Sequence, residues 1–210
     1  MIENLELQRA IIIQILHTAL LSIPKRASAR DLNLIPLPTG IDVFAGTKCY
    51  LDTSSVNENG PSDYRNRAGY NERPSRANAR PIANSVWFAK MKGGNKPLLI
   101  TSLDDDLIEH CLLSTGFMGL KENHALPLPL LYAFITSPEF LLDRDRNSTG
   151  TLMEGVTNST FQNIKFPRLN ASEAVHFKKA YSPLICVLSK IRKEEILLKK
   201  SKQYLLNKYF

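Results

Sequence analysis

The chain has 210 residues, 43% of them hydrophobic, which is material for one sizeable core plus an appendage. A net charge of +7 and a pI near 9.3 favour an anionic partner, a nucleic acid or a membrane surface, although many basic proteins bind neither. Cys49, Cys111 and Cys186 are odd in number, widely spaced and match no CxxC pattern, so they read as reduced, mostly buried thiols of a cytoplasmic protein. In that compartment the sequons Asn147-Ser-Thr and Asn158-Ser-Thr go unmodified.

Residues 1–24 read as an N-terminal helical arm. The stretch opens with Glu3 and Glu6 instead of lysines, and Gln14 and His17 interrupt its apolar run, so it is neither a targeting segment nor a comfortable membrane span. Over residues 5–22 the spacing predicts an amphipathic helix with Ile12, Ile15, Leu16, Ala19 and Leu20 on one face, stopped by Pro24. A membrane-surface helix lines its polar face with basic residues, and this one offers chiefly Arg9. Packing on the C-terminal helix or on the globular domain is its expected role.

Residues 36–170 have a different texture. Ile41–Phe44, Lys48–Leu51, Ser85–Lys92, Pro97–Thr101, 111–118 and Asn163–Leu169 read as strands, and Lys92-Gly-Gly-Asn95 reads as a hairpin turn. Residues 127–142 read as a helix burying Leu130, Leu131, Phe134 and Ile135, followed by a loop over Asn147–Gly155. Strands intermixed with a central helix predict one α/β or α+β domain between two helical arms.

Catalytic signals are thin: no phosphate-loop, zinc-protease or nucleophile-elbow motif occurs, and no metal or cofactor is called for. The run Asp104-Asp105-Asp106 with Glu109 and His110 reads as a solvated turn leading into a helix, because consecutive carboxylates point apart instead of converging on an ion. Glu109-His110-Cys111 places a Cys/His couple on adjacent residues, which face opposite ways on a strand. The chain is therefore expected to be non-catalytic.

The most function-like segment is residues 57–81. Arg65, Arg67, Arg73, Arg76 and Arg80 fall within sixteen residues, interleaved with Tyr64, Tyr70, Asn66 and Asn78. Guanidinium forks on turn-rich sequence suit phosphates and guanine edges, and Lys90, Lys92 and Lys96 extend the set. The bland alternative is a solvated loop whose arginines pair with Asp63 and Glu72, two acids against five arginines.

Residues 171–210 form the last segment. Within it Ser182 and Pro183 read as the cap and first position of a helix running to the chain end, roughly 27 residues and about 40 Å long. Leu184, Leu188, Ile191, Leu198, Leu205 and Tyr209 make a heptad-like seam, with Glu195 and Lys202 at two of its positions. The seam predicts pairing with another helix, in a homodimer or with a second half. Packing on its own domain is the alternative.

Several segments, taken in order, resemble the specificity subunits of type I restriction-modification systems. Arg73-Pro-Ser-Arg-Ala77 followed by Ser85-Val-Trp-Phe-Ala-Lys-Met91 is similar to a stretch of their target-recognition domains. Ser114-Thr-Gly-Phe117, Tyr132-Ala-Phe-Ile-Thr-Ser137 with Phe140, Gly150-Thr-Leu-Met-Glu-Gly-Val-Thr157 and Asn163-Ile-Lys-Phe-Pro167 continue the resemblance. Lys193-Glu-Glu-Ile and Leu205-Leu-Asn-Lys-Tyr-Phe210 resemble the end of the family's spacer helix. The match spans about residues 45–210. It implies a domain that reads half of a bipartite DNA sequence, a helix that pairs antiparallel with another, and docking of methyltransferase and restriction subunits. With one domain and one such helix, the chain resembles half a specificity subunit. The competing class is a basic interaction or membrane-surface module without DNA specificity. Salt-dependent binding to duplex DNA, but not to anionic vesicles, separates the two.

Overall fold

The computed structural model describes residues 1–62, 64–151 and 154–209. Asp63, part of the Gly150–Thr157 segment and the terminal Phe210, all used in the sequence reading, lie outside the described residues. In chain order the elements are α1 (Ile2–Leu21), β1 (Arg26–Ser28), β2 (Thr47–Leu51), β3 (Val56–Asn57), β4 (Gly60–Pro61), β5 (Arg67–Gly69), β6 (Ala77–Ala79), β7 (Ser85–Ala89), β8 (Leu98–Ile100), α2 (Asp105–His110), β9 (Cys111–Ser114), β10 (Phe117–Lys121), α3 (Leu128–Ile135), α4 (Pro138–Arg146), α5 (Asn158–Phe161), β11 (Lys165–Pro167) and α6 (Ala171–Tyr209).

Strand β7 organises the layers. Its sequence Ser-Val-Trp-Phe-Ala is rich in β-formers, and every residue is buried, as a strand covered on both faces requires. Side chains alternate across a strand, so Val86 and Phe88 enter one core while Trp87 and Ala89 enter another. On the first side lie α1, α3, α4 and α6 with a cluster of phenylalanines, in which Phe88 and Phe140 meet edge to face at 4.9 Å. On the second lies the four-stranded sheet β5-β2-β9-β6. The three-stranded sheet β10-β7-β8 is the middle layer. Among the described residues only β2 and β9 pair in parallel, so the mixed architecture is α+β.

Helix α3 is buried along all eight residues, held between α1, α6 and the sheet. Helix α1 packs on both α3 and α6, so the two terminal helices are not arms standing off the domain; they share its larger core. The buried face of α1 is Leu5, Arg9, Ile12, Leu16, Ala19 and Leu20. Ile15, expected inside, is exposed, and Arg9, expected outside, is buried because it meets Glu195 of α6 at 2.7 Å.

Helix α6 is longer than the sequence suggested, with 39 residues, about 58 Å at 1.5 Å per residue. It starts at Asn170, whose carboxamide accepts from the Glu173 amide while the Glu173 carboxylate accepts from the Asn170 amide. This reciprocal cap outcompetes the one expected at Ser182, and Pro183 is carried inside the helix.

Other boundaries moved for local reasons. Residues 41–44 form no strand, although Gly40 donates to the Asn78 carbonyl beside β6. The expected strand over 111–118 divides into β9 and β10 at a turn through Thr115 and Gly116. The expected helix over 127–142 breaks at Ser137, whose hydroxyl caps the Phe140 amide, with Pro138 restarting the chain as α4. Strand β1, unforeseen in the sequence, pairs with β11.

Candidate nucleic-acid interface

The Arg73–Ala77 turn and the Ser114–Phe117 turn meet. Thr115 donates its amide to the Arg76 carbonyl at 2.8 Å, and the Ser114 hydroxyl accepts from the Gly116 amide at 3.1 Å. Within the first turn the two arginines divide the work. Arg73 lies 4.1 Å from the centre of the Tyr70 ring and donates to the carbonyls of Ala77 and Tyr70, so it braces the turn. Arg76 is exposed at the turn it completes.

The lysines gather around the same end of the domain. The Lys90 amide donates to the Gly116 carbonyl at 2.9 Å, and its half-buried ammonium has its pKa lowered by desolvation. Lys96 donates to the Thr53 carbonyl, and Thr53 in turn packs beside Gly116. Lys92 pairs with Glu154 across the neighbouring loop. The β7–β8 hairpin carrying Lys92 and Lys96 is pinned from below by Arg144, which is almost wholly buried. Its guanidinium donates to the Gly94 carbonyl at 2.5 Å and to Asp145 at 2.6 and 2.8 Å. Nothing in the local sequence marks Arg144 for this role, since the Gly94 carbonyl that it holds comes from the hairpin, 50 positions away.

The eight candidate DNA-binding residues thus do not form one set. Arg76, Lys90 and Lys96 cluster around the Thr115–Gly116 turn, with Lys92 at the adjoining hairpin. Arg80 lies 3.7 Å from the exposed Asp42, a weak surface pair. Arg67 reaches back along the β2–β5 ladder to the Thr47 carbonyl and hydroxyl at 2.9 and 3.2 Å. Arg65 and Arg67 line hollows facing α6.

The expected helix-pairing seam is divided in a similar way. Leu188 and Ile191 are buried in the chain's own core, and Leu184 and Leu198 pack at its edge. Glu195 is engaged by Arg9 instead of facing Lys202 of another helix. These positions are covered because α1 runs antiparallel to α6, with Met1 and Ile2 reaching Leu198 and Lys202. Lys202 and Leu205 remain exposed, together with Tyr204, Leu206 and Tyr209. The interface expected over Leu184–Leu198 is therefore corrected to an intramolecular one.

The acidic run also differs from expectation. Asp104 is not solvated but buried, accepting from the Thr101 amide and hydroxyl at 2.7 and 2.9 Å and from the Ser189 hydroxyl at 3.0 Å, and it faces Arg192. Asp105 and Asp106 are exposed in the first turn of α2. Cys49 and Cys111 are buried opposite one another on β2 and β9, and Cys186 is exposed. No helix among the described residues is long and apolar enough to cross a membrane.

These elements make a mixed α+β domain followed by one long helix. No family model matches the sequence, and none of the curated proteins does. Among solved structures, the HsdS subunit from Thermoanaerobacter tengcongensis superposes with a TM-score of 0.56 at 19% identity, over 87% of this chain and 47% of that one. A chain from a type I R-M system, described for its complex assembly and conformational transition, superposes with a TM-score of 0.58 at 18% identity, over 85% and 45%. The protein spans just under half the length of these chains.

Proposed function

We propose that the chain is a DNA-reading half of a type I specificity subunit. In this reading the domain over residues 36–170 recognises one half-site, and residues 171–210 supply the spacer helix. Methyltransferase and restriction subunits dock on it in the cytoplasm, and the exposed end of α6 meets a second copy or another half. The chain itself carries out no chemistry. What supports the proposal is that Arg76, Lys90, Lys92 and Lys96 lie on turns and loops that adjoin one another, in a fold similar to that of solved specificity subunits. Turns pinned by Arg73 and Arg144 are rigid mounts for such contacts.

The test is a selection from randomised duplexes by the chain assembled with its methyltransferase subunit. An enriched sequence is expected, with affinity falling as salt rises by a log–log slope of about 0.9 per neutralised phosphate. No enrichment, with equal binding to anionic vesicles, would instead indicate a basic surface module.

A further inference from the structure

Cys49 and Cys111 have no part in the proposed DNA contacts. They are register partners in the parallel ladder of β2 and β9, and both side chains enter the core that holds Trp87 and Leu98. The Cys49 thiol donates to the Tyr64 carbonyl at 3.4 Å, and the Cys111 thiol is hydrogen-bonded to Cys49. The two sulfurs are thus neighbours on one face of the sheet. Paired strands lie about 4.7–4.9 Å apart, inside the range of about 4.4–6.8 Å between the Cα atoms of bridged cysteines. The Cβ atoms at such a spacing sit slightly beyond the roughly 3.5–4.5 Å of a relaxed bridge. A bond formed here is therefore strained and readily reduced, as a reversible modification needs.

The pair also has an approach. Both cysteines line a hollow of about 520 Å³ between the outer sheet and α6. Cys49 is 3% exposed and Cys111 4%, which keeps out bulky reagents, whereas hydrogen peroxide is little larger than water. Hydrogen bonding to Cys49, then burial, raises the pKa of the Cys111 thiol, and the Arg67 charge opposes this only in part. The thiols consequently rest protonated and reduced, and they react slowly.

We propose that Cys49 and Cys111 form a reversible oxidation site, closing to an intramolecular disulfide when peroxide enters the hollow. One sulfur, as thiolate, attacks a peroxide oxygen, and the O–O bond breaks to leave a sulfenic acid and hydroxide. The second sulfur displaces the sulfenic hydroxyl and the S–S bond forms. The two hydroxides take up the two thiol protons as water, so the sulfurs lose two electrons and the peroxide gains them. A resolving thiol already in contact traps the sulfenic acid before it oxidises further. The bond closes off residues 50–110, the stretch that carries the candidate DNA contacts from Arg65 to Lys96. Strand β9 also runs into the turn whose Thr115 amide holds the Arg76 carbonyl. Oxidation thus acts on the frame of that surface and leaves the contact side chains chemically unchanged.

The experiment treats the full chain carrying Cys186→Ser, which removes the exposed thiol, with hydrogen peroxide under native conditions. Mass spectrometry of the intact chain should show the loss of two hydrogens, and non-reducing peptide mapping should find the Cys49 and Cys111 peptides joined. Both thiols should disappear together in a thiol count and return together with dithiothreitol. Cys49→Ser in the same background should form no cross-link. The proposal is overturned if the folded chain keeps both thiols until urea unfolds it, or if one sulfur proceeds to sulfinic acid without a cross-link. A cross-link between two chains, seen as a dimer on a non-reducing gel, would overturn it as well. The readout is the bond itself, so the outcome is separate from that of the DNA selection.

Discussion

Arg192 of α6 places a guanidinium nitrogen 2.6 Å from the carboxylate of Asp104, with side chains only 9% and 2% exposed. The pair fastens the long helix to the turn before α2, and the Leu99 carbonyl and Ser189 hydroxyl complete the cluster. Burial alone raises the Asp104 carboxyl pKa, but Arg192 and the Thr101 hydrogen bonds outweigh it and hold the group below the usual carboxylate range.

Removing one partner of this pair should therefore destabilise more than removing both. Asp104→Ala leaves a buried guanidinium uncompensated and is expected to cost about 3–5 kcal/mol in urea unfolding. The double variant Asp104→Leu with Arg192→Met should recover much of that loss. Because the folded pKa is depressed, the pair's stabilisation is full above about pH 4 and is lost as pH falls through the folded value. Asp104→Asn should lack that acid-side fall, and an unchanged acid profile would refute the assignment.

A second pH dependence lies nearer neutrality. His17 bonds the Thr136 hydroxyl at 2.9 Å between α1 and the end of α3, and desolvation lowers its pKa from 6.5. A depressed folded pKa means stability is full above the unfolded value and declines as pH falls below about 6.5. Thermal midpoints compared between pH 7.5 and pH 5 should show a drop that His17→Gln reduces.

Gly119 lies opposite Trp87 in the β7–β10 ladder, and a Cβ there would sit 2.6 Å from the indole ring. Gly119→Ala must displace a fully buried tryptophan, so a loss of about 1–3 kcal/mol or more is expected. Trp87 is the one tryptophan of the chain, and its fluorescence reports the shift directly.

The paired roles of Arg73 and Arg76 make separable predictions. Arg76→Ala should weaken specific DNA binding by the assembled complex while leaving the unfolding free energy within about 0.5 kcal/mol of the wild type. Arg73→Ala should lower both, since it removes the stack on Tyr70 and the bond to the Ala77 carbonyl. Arg76→Ala with wild-type affinity and salt slope would move the reading surface elsewhere.

Self-association, if α6 mediates it, should depend on the uncovered end. Leu205→Asp together with Tyr209→Asp is expected to shift sedimentation toward monomer without lowering stability, because both side chains are exposed in the chain. Leu188→Asp should instead unfold the core by burying a charge. Equal sedimentation of the Leu205/Tyr209 variant and the wild type would exclude this end as the contact.

Local periodicity and turn chemistry made much of the fold legible in the sequence: the amphipathic N-terminal helix, the strands around Val86, Leu99 and Cys49, the hairpin turn after Lys92, and the mixed α+β class. The order of short motifs around Arg73–Ala77 and Ser114–Phe117 pointed to the same fold. Tertiary structure decided what covers each face. A helical stripe such as Leu188, Ile191 and Leu198 shows that something must pack on it, but not whether the cover is a second molecule or α1. Arg9 and Glu195 are 186 positions apart, and no local pattern couples them. The same holds for Asp104 with Arg192, and for Arg144 with the hairpin it supports. Density along the chain grouped the arginines. Bonding to backbone carbonyls then separated braces such as Arg67 and Arg73 from the exposed Arg76, because a side chain's role is set by neighbours that only folding brings within reach.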